Sequence, residues 1–253
     1  MFDSITRFET LFENSSLTLE CGNSINNVRV AFQTYGTLND AGDNCIVVCH
    51  ALTGNAHAAG LSTKAEIARA YNEQAPFLAQ YHEMNLGKFG WWDSLIGEDK
   101  LFDTNKYFIV CATLLGSCYG TYSEDCMESR EGFTSKLFKY DLTVRDLVRV
   151  QKGLTDSLNV KHIHAVVGGS LGGMQVLEWG ILYGDIISYL FPIATTARHS
   201  DWAIAFGEVE RNAITNDPAW NQGWYNEQPR AGLSLARKIA MISYRTGVSF
   251  NQK

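Results

Sequence analysis

The run Val166-Val167-Gly168-Gly169-Ser170-Leu171-Gly172-Gly173-Met174 constrains this chain more than any other, because it sets one serine among glycines where a strand pattern gives way to a helix pattern. Residues 163–167 are mostly apolar and β-branched, as a buried strand requires, and Met174, Leu177, Ile181 and Leu182 then recur at helical spacing. The glycines therefore fall in the turn between the two. Such a turn lifts a serine oxygen clear of the backbone, while Gly168 and Gly172 let strand and helix approach more closely than a Cβ would allow. This is the form of a nucleophile elbow, with Ser170 as nucleophile. A dinucleotide fingerprint needs glycine where Ser170 stands, and a phosphate-cradling loop needs a Lys-Ser or Lys-Thr pair that the run lacks. The plainer alternative is a glycine turn that only packs a helix on a sheet; the strand before and the helix after favour the elbow.

A chain of 253 residues, 45% hydrophobic and 19% charged, is long enough for a large core, with one main domain as the default. The first ten residues carry acids and no apolar stretch, and no segment approaches the roughly 18 apolar residues of a membrane span, so a cytoplasmic protein without a membrane partner is expected. A net charge of −6 and the lack of any basic run argue against nucleic acid. A phosphorylated cofactor stays compatible, since a few local cations suffice for it. The six cysteines, at 21, 45, 49, 111, 118 and 126, form no C-x-x-C pair and are expected to be reduced and mostly structural; Cys118 is the least clearly so. No metal ligand set is expected.

Three apolar segments, Cys45 to Cys49, Tyr107 to Ala112 and Ile163 to Val167, are separated by long connections, and a fourth, Ile186 to Ala194, follows the elbow helix. Such spacing suits parallel strands joined by crossovers. Asn27 to Tyr35 reads as an antiparallel edge strand. Thr143 to Leu158 reads as an amphipathic helix with Leu147, Val150, Leu154 and Leu158 on one stripe, Arg145, Asp146, Arg149 and Lys152 elsewhere, and a cap at Thr143 with Asp146 three residues on. The order predicts an α/β protein with the α/β-hydrolase fold: a mostly parallel sheet and a helical lid, with the C-terminal strands absent. Residues 1–198 form the expected core. Residues 199–253 form a partial lid, in which Trp202, Phe206, Val209 and Ala213 mark one helix and Pro229 opens a second through Tyr244. Between His50 and Lys106 a long loop carries Trp91 and Trp92, expected as packing bulk.

A nucleophilic serine needs backbone amides aimed where the oxyanion develops. The elbow supplies one from Leu171, and the loop after an earlier strand, Cys49-His50-Ala51-Leu52-Thr53-Gly54-Asn55, supplies the other, assigned to Leu52. His50, at a strand end, reads as a hydrogen-bonded structural residue.

The blocks C-H-A-L-T-G-N-A-H at 49–57, G-W-W-D-S-L-I-G at 90–97, L-L-G-S-C-Y-G-T at 114–121, V-V-G-G-S-L-G-G-M-Q-V-L-E-W at 166–179 and G-L-S-L-A-R-K-I-A-M-I-S-Y at 232–244 resemble the homoserine O-acetyltransferase family. The resemblance implies a serine acyltransferase of methionine biosynthesis that moves an acetyl group from acetyl-CoA to L-homoserine, with no tightly bound cofactor. It also implies substrate contacts at Arg237 and Tyr244, seven residues apart and so on nearly one helix face, and more weakly at Arg230. Arg237 would hold the homoserine carboxylate as a bidentate pair. Succinyl-CoA as donor and serine as acceptor are variants within the family, and the resemblance implies a homodimer of the full-length form through its lid helices.

The family places its aspartate and its general-base histidine late in the chain, after the lid. Here His199 is the sole histidine after Ser170, and it lies at the lid's start, where a catalytic base is not expected. The expectation is an N-terminal portion of such an enzyme, with little activity by itself. A non-catalytic binding protein and a simple esterase are the alternatives.

Overall fold

Six runs of apolar and β-branched residues build one sheet: β1 (Arg7–Leu11), β2 (Val28–Tyr35), β3 (Cys45–Cys49), β4 (Phe108–Ala112), β5 (Ile163–Gly169) and β6 (Ile187–Ile193). The structure is a computed structural model that describes residues 5–130 and 133–252. Residues 1–4, 131 and 132 of the expected core and residue 253 of the expected lid lie outside the described residues. Those described fall into two compact units, Met1–Cys126 with Tyr140–Thr196, and Met127–Lys139 with Ala197–Lys253.

In the first unit the sheet order is β1-β2-β4-β3-β5-β6. Strands β4, β3, β5 and β6 are parallel, while β1 pairs antiparallel with β2 and β2 antiparallel with β4. Strands β3 and β4 are buried along their whole length, which is why they read as unbroken apolar runs. On one face Ile46, Val48, Ile109, Cys111, Ala165 and Val167 meet Tyr35, Ala58, Ala59, Ile96 and Phe102 in a continuous core. The parallel register sets Gly168 opposite both Cys49 and Pro192, so β5 delivers its turn at the carboxyl ends of the parallel strands, where open α/β sheets carry their sites.

Two expectations are corrected. The strand at Asn27–Tyr35 is interior, because Arg7–Leu11 pairs along its outer side. Its alternating polar residues look solvated in sequence, yet Gln33 is fully buried and hydrogen-bonded. In α3 (Val144–Ser157), Thr143 and Asp146 form the anticipated capping box, but Asp146 does not face solvent. It is fully buried because its carboxylate accepts the N–H groups of Thr143, at 3.0 Å, and Glu20, at 2.9 Å. Val148 shares the buried side with Val150 and Leu154, while Leu147 and Leu158 are half-buried.

The loop from His50 to Lys106 contains two helices, α1 (Lys64–Asn72), capped by the Thr63 side chain, and α2 (Pro76–Met84), with proline in its first turn. Helix α4 (Leu171–Tyr183) follows the elbow and packs on β5 and β6. Strand β6 is largely exposed and pairs with β5 alone among the described strands.

The second unit holds α5 (Asp201–Thr215), α6 (Arg230–Ser243), the short α7 (Gly247–Asn251) and the two-stranded pairing of 127–130 with 133–138. Helices α5 and α6 meet at Gly232, where a Cβ would lie 2.4 Å from the Ala213 carbonyl oxygen, and Asp217 accepts the Gly232 N–H at 2.8 Å. No described helix is long and apolar enough to cross a membrane.

Candidate active site at Ser170

Ser170 caps the start of α4 with φ 57° and ψ −121°. A residue with a Cβ in this region carries strain, and such strain persists only where the surroundings impose it. Here the Ser170 N–H donates to Ile193 O at 3.0 Å, and the Ser170 carbonyl accepts from Met174 N–H at 3.2 Å and the Thr195 hydroxyl at 2.8 Å. Close packing does the rest: a Cβ on Gly172 would lie 2.1 Å from Cys49 O, and one on Gly168 would lie 2.6 Å from Gly172 O and 2.7 Å from Cys49 O. The turn thus leaves the Ser170 side chain exposed above a buried strand, as the glycine spacing predicts.

Behind the turn a buried polar chain holds α4 against β3. Gln175 Nε2 donates to His50 O at 3.2 Å and Leu171 O at 3.1 Å, Gln151 donates to Gln175 at 2.7 Å, and the Trp179 indole donates to Gln151 at 2.8 Å. These residues were not singled out in the sequence, since Gln151, Gln175 and Trp179 read as ordinary helix positions.

Ser170 opens on a cavity of about 490 Å³ lined by Cys49, His50, Ala51, Thr53, Gly54, Asn55, Tyr81, Trp91, Trp92, Gly169 and Ala194. Trp91 and Trp92 therefore line the cavity as well as pack: Trp92 rests on the core and the Trp91 indole donates to Asn55 O at 3.1 Å. Tyr81 belongs to α2, a helix missed in the sequence although Pro76 marks its start.

Leu171 is the first residue of α4, where amides have no intrahelical acceptor. Leu52 sits between cavity residues Ala51 and Thr53, its side chain exposed and its N–H without a backbone acceptor among the described residues. His50 is occupied: Nδ1 contacts Ala51 O at 2.7 Å and Nε2 accepts the Leu114 N–H at 3.2 Å. That pattern fixes the Nδ1–H tautomer, and burial lowers its pKa to about 4. It is therefore a neutral strut for the loop, with no nitrogen left to take a proton from serine.

The same loop is held from below by Tyr35, whose hydroxyl accepts the Ala58 and Ala59 N–H groups at 2.9 and 3.0 Å and donates to Gln33 Oε1 at 2.6 Å. Tyr35→Phe strands two buried N–H groups and is expected to cost about 3 kcal/mol, read as a lower urea midpoint with unchanged slope.

His57 and His82, at pKa values of about 4 and about 3, are also held neutral, chiefly by burial. With His50 they set an acid limit on stability. Their folded values lie below the unfolded 6.5, so the unfolded chain binds more protons between them. Stability is full above pH 6.5 and falls as pH drops toward 4, at about 1.4 kcal/mol per pH unit for each histidine that titrates. Urea unfolding at pH 7, 6 and 5 checks this; a flat profile contradicts it.

Arg237 lies on α6 and Tyr244 caps it, both exposed. With Arg230 they recur every seven residues, roughly 100° around the helix from the buried Gly232, Ala236 and Ala240. His199 precedes α5, exposed, in the same unit. Cys45, Cys49, Cys111 and Cys126 are buried, with burial pushing Cys45 up to about 12, whereas Cys21 and Cys118 are exposed; none of the six is in a disulfide among the described residues.

The family model of the alpha/beta hydrolase fold matches residues 44–251. The chain belongs to the α/β-hydrolase fold family. Among hydrolase-fold relatives, it is 44% identical over 239 residues to a homoserine O-acetyltransferase of Moorella thermoacetica, covering 94% of this chain and 59% of that protein. A second homoserine O-acetyltransferase, of Carboxydothermus hydrogenoformans, is 42% identical, with coverage of 94% and 58%. The chain thus spans less than three-fifths of these relatives' length. Among solved hydrolase-fold structures it is similar to esterase E22 (TM-score 0.79, 28% identity, 98% of this chain and 63% of that one) and to a homoserine O-acetyltransferase from Bacillus anthracis (TM-score 0.74, 28% identity, 94% and 60%).

Proposed function

We propose that the full-length protein transfers an acetyl group from acetyl-CoA to the hydroxyl of L-homoserine, a step of methionine biosynthesis, through an acyl ester on Ser170. The observation that carries this reading is the exposed Ser170 in a strained turn at the head of α4, opening on a cavity. The likeness to homoserine O-acetyltransferases supports the choice of substrates.

In the first half-reaction Ser170 Oγ attacks the thioester carbonyl carbon. A C–O bond forms, the C–S bond breaks, and the serine proton passes through a general base to the departing CoA thiol. The Leu171 and Leu52 amides stabilise the negative oxygen. In the second half the homoserine hydroxyl oxygen attacks the ester carbonyl carbon, forming a new C–O bond as the acyl bond to Ser170 Oγ breaks, and the hydroxyl proton returns through the same base to Ser170. Arg237 holds the homoserine carboxylate, with Tyr244 beside it. The base is a histidine oriented by an aspartate, both from a part of the longer protein beyond the lid, rather than His199. Acyl-CoA is a substrate here, and no tightly held cofactor takes part. The same reading makes the whole protein a cytoplasmic homodimer without nucleic-acid or membrane partners.

The likeness to esterase E22 favours one second reading, in which water replaces homoserine as acceptor. CoA release by the full-length protein from acetyl-CoA and succinyl-CoA, with and without homoserine, separates them. Sustained release from acetyl-CoA that requires homoserine is expected. Equal release without homoserine indicates an esterase, preference for succinyl-CoA changes the donor, and no release from either indicates a binding protein.

A further inference from the structure

Beneath the loop that follows β3, three side chains converge that the serine chemistry does not use: His57, Glu66 of α1 and His82 of α2. All are at most 1% exposed, and each offers a ligand atom within 4.8 Å of the other two. None lines the Ser170 cavity.

Their hydrogen bonds fix where the protons lie. The Gln33 side-chain amide uses its two hydrogens on Thr6 Oγ1, at 2.9 Å, and Glu66 Oε1, at 2.6 Å. The 3.3 Å contact to His57 Nδ1 is therefore a His57 N–H donating to Gln33 Oε1. His57 Nε2 then carries a lone pair and accepts the Ser62 hydroxyl at 3.2 Å. Ser62 has one hydrogen, so at 2.9 Å its oxygen must accept from His82 Nδ1–H. This leaves His82 Nε2 as a bare lone pair, buried and without a hydrogen-bond partner among the described residues, 4.0 Å from Glu66 Oε2. Two acceptors face each other across a gap that no hydrogen bond spans.

That arrangement is what a cation requires. His82 anchors Nδ1–H on the Ser62 oxygen and directs Nε2 toward Glu66, and with an ion bound His57 holds Ser62 through Nε2–H and offers Nδ1, on the Gln33 side, as its ligand atom, the outer-shell pattern that orients metal-bound histidines. Glu66 is itself oriented by the Thr6 N–H at 3.0 and 3.1 Å. Ligand atoms around a tetrahedral zinc lie about 3.4 Å apart, given bonds near 2.1 Å, so the 4.0 Å His82–Glu66 separation must close by about 0.6 Å and the widest, within 4.8 Å, by up to about 1.4 Å. We propose that His57, Glu66 and His82 form a buried site for one divalent transition-metal ion of the zinc class, with Ser62 outside it as the hydrogen-bond anchor of both imidazoles. The ion ties α1 and α2 to the loop that bears Asn55 and the Leu52 amide. Neighbouring residues of the set lie nine and sixteen positions apart, in a chain whose sequence shows no metal signature.

The test is elemental analysis of full-length protein prepared without a histidine tag or chelator, followed by chelator stripping and titration with zinc and cobalt. Expected are about one equivalent of zinc as isolated or after titration, ligand-field bands of tetrahedral cobalt, and a Tm that rises with zinc. His82→Gln and Glu66→Gln should each lower metal content at least tenfold. Should either variant fail to fold, the cobalt bands and zinc-dependent Tm of the stripped wild type decide alone. Under a tenth of an equivalent, no bands and no shift in Tm overturn the site and leave a bridging water in the gap. Metal retained unchanged by both variants overturns it equally.

Discussion

Ser170→Ala in the full-length protein is expected to lower homoserine-dependent CoA release by about 10⁴-fold or more, without loss of fold. Removing the nucleophile from a triad leaves only what oxyanion donors and substrate binding contribute, and losses of that order follow. The fold should survive because the substitution deletes one exposed oxygen, while the bonds that hold the turn are made by the Ser170 backbone. Alanine keeps the strained φ of 57°, so the strain itself is unchanged. Matched urea midpoints with activity within tenfold of wild type would remove Ser170 from the chemistry.

The second large effect is structural and lies two residues on. Gly172→Ala places a methyl group 2.1 Å from Cys49 O and 2.9 Å from Cys49 C, both backbone atoms of a strand buried on all sides. Neither can rotate away, so α4 must lift from β3, breaking the Gln175 contact with His50 O and displacing the Leu171 amide. A loss of about 3 kcal/mol or more is expected, at the upper end for overpacking, and misplacement of the elbow by about 1 Å should cost roughly 10² in acylation rate. Gly184→Ala, whose Cβ meets nothing within 4 Å, is the control and should stay within about 0.5 kcal/mol. A Gly172→Ala protein as stable as that control would mean the close approach is not what shapes the turn.

What the sequence discloses here is what is local. The elbow is legible because strand, glycine turn and helix follow one another within about twenty residues, and each has its own pattern. The cap at Thr143 and the two lid helices are legible for the same reason. Non-local pairing is not. Arg7–Leu11 has no alternation to mark it and becomes a strand only by lying against residues 28–32 of β2. Its presence then moves β2 inward and buries Gln33, whose polar character had pointed to an edge. Asp146 misled likewise: a carboxylate on a helix reads as solvated until the Glu20 amide, over a hundred residues away, is found against it.

The site divides along the same line. Ser170, Leu171 and the loop around Leu52 follow from motif and position, and the first unit brings Ser170 and that loop to one cavity. Asn55, Tyr81 and the tryptophan pair join it through the long β3–β4 connection, where Thr63 and Pro76 were available as helix-start signals. His57, Glu66 and His82 share no spacing that sequence could flag, and only packing of α1 and α2 assembles them.

The central claim is that Ser170 carries the acyl group, and mass analysis of the full-length protein tests it most directly. Mixed with acetyl-CoA alone, the protein is expected to gain one acetyl group, mapped by peptide digestion to Ser170 and discharged within one turnover when L-homoserine is added. An acetyl group on another residue, or acetylhomoserine formed with no adduct at Ser170 at any time, would contradict it.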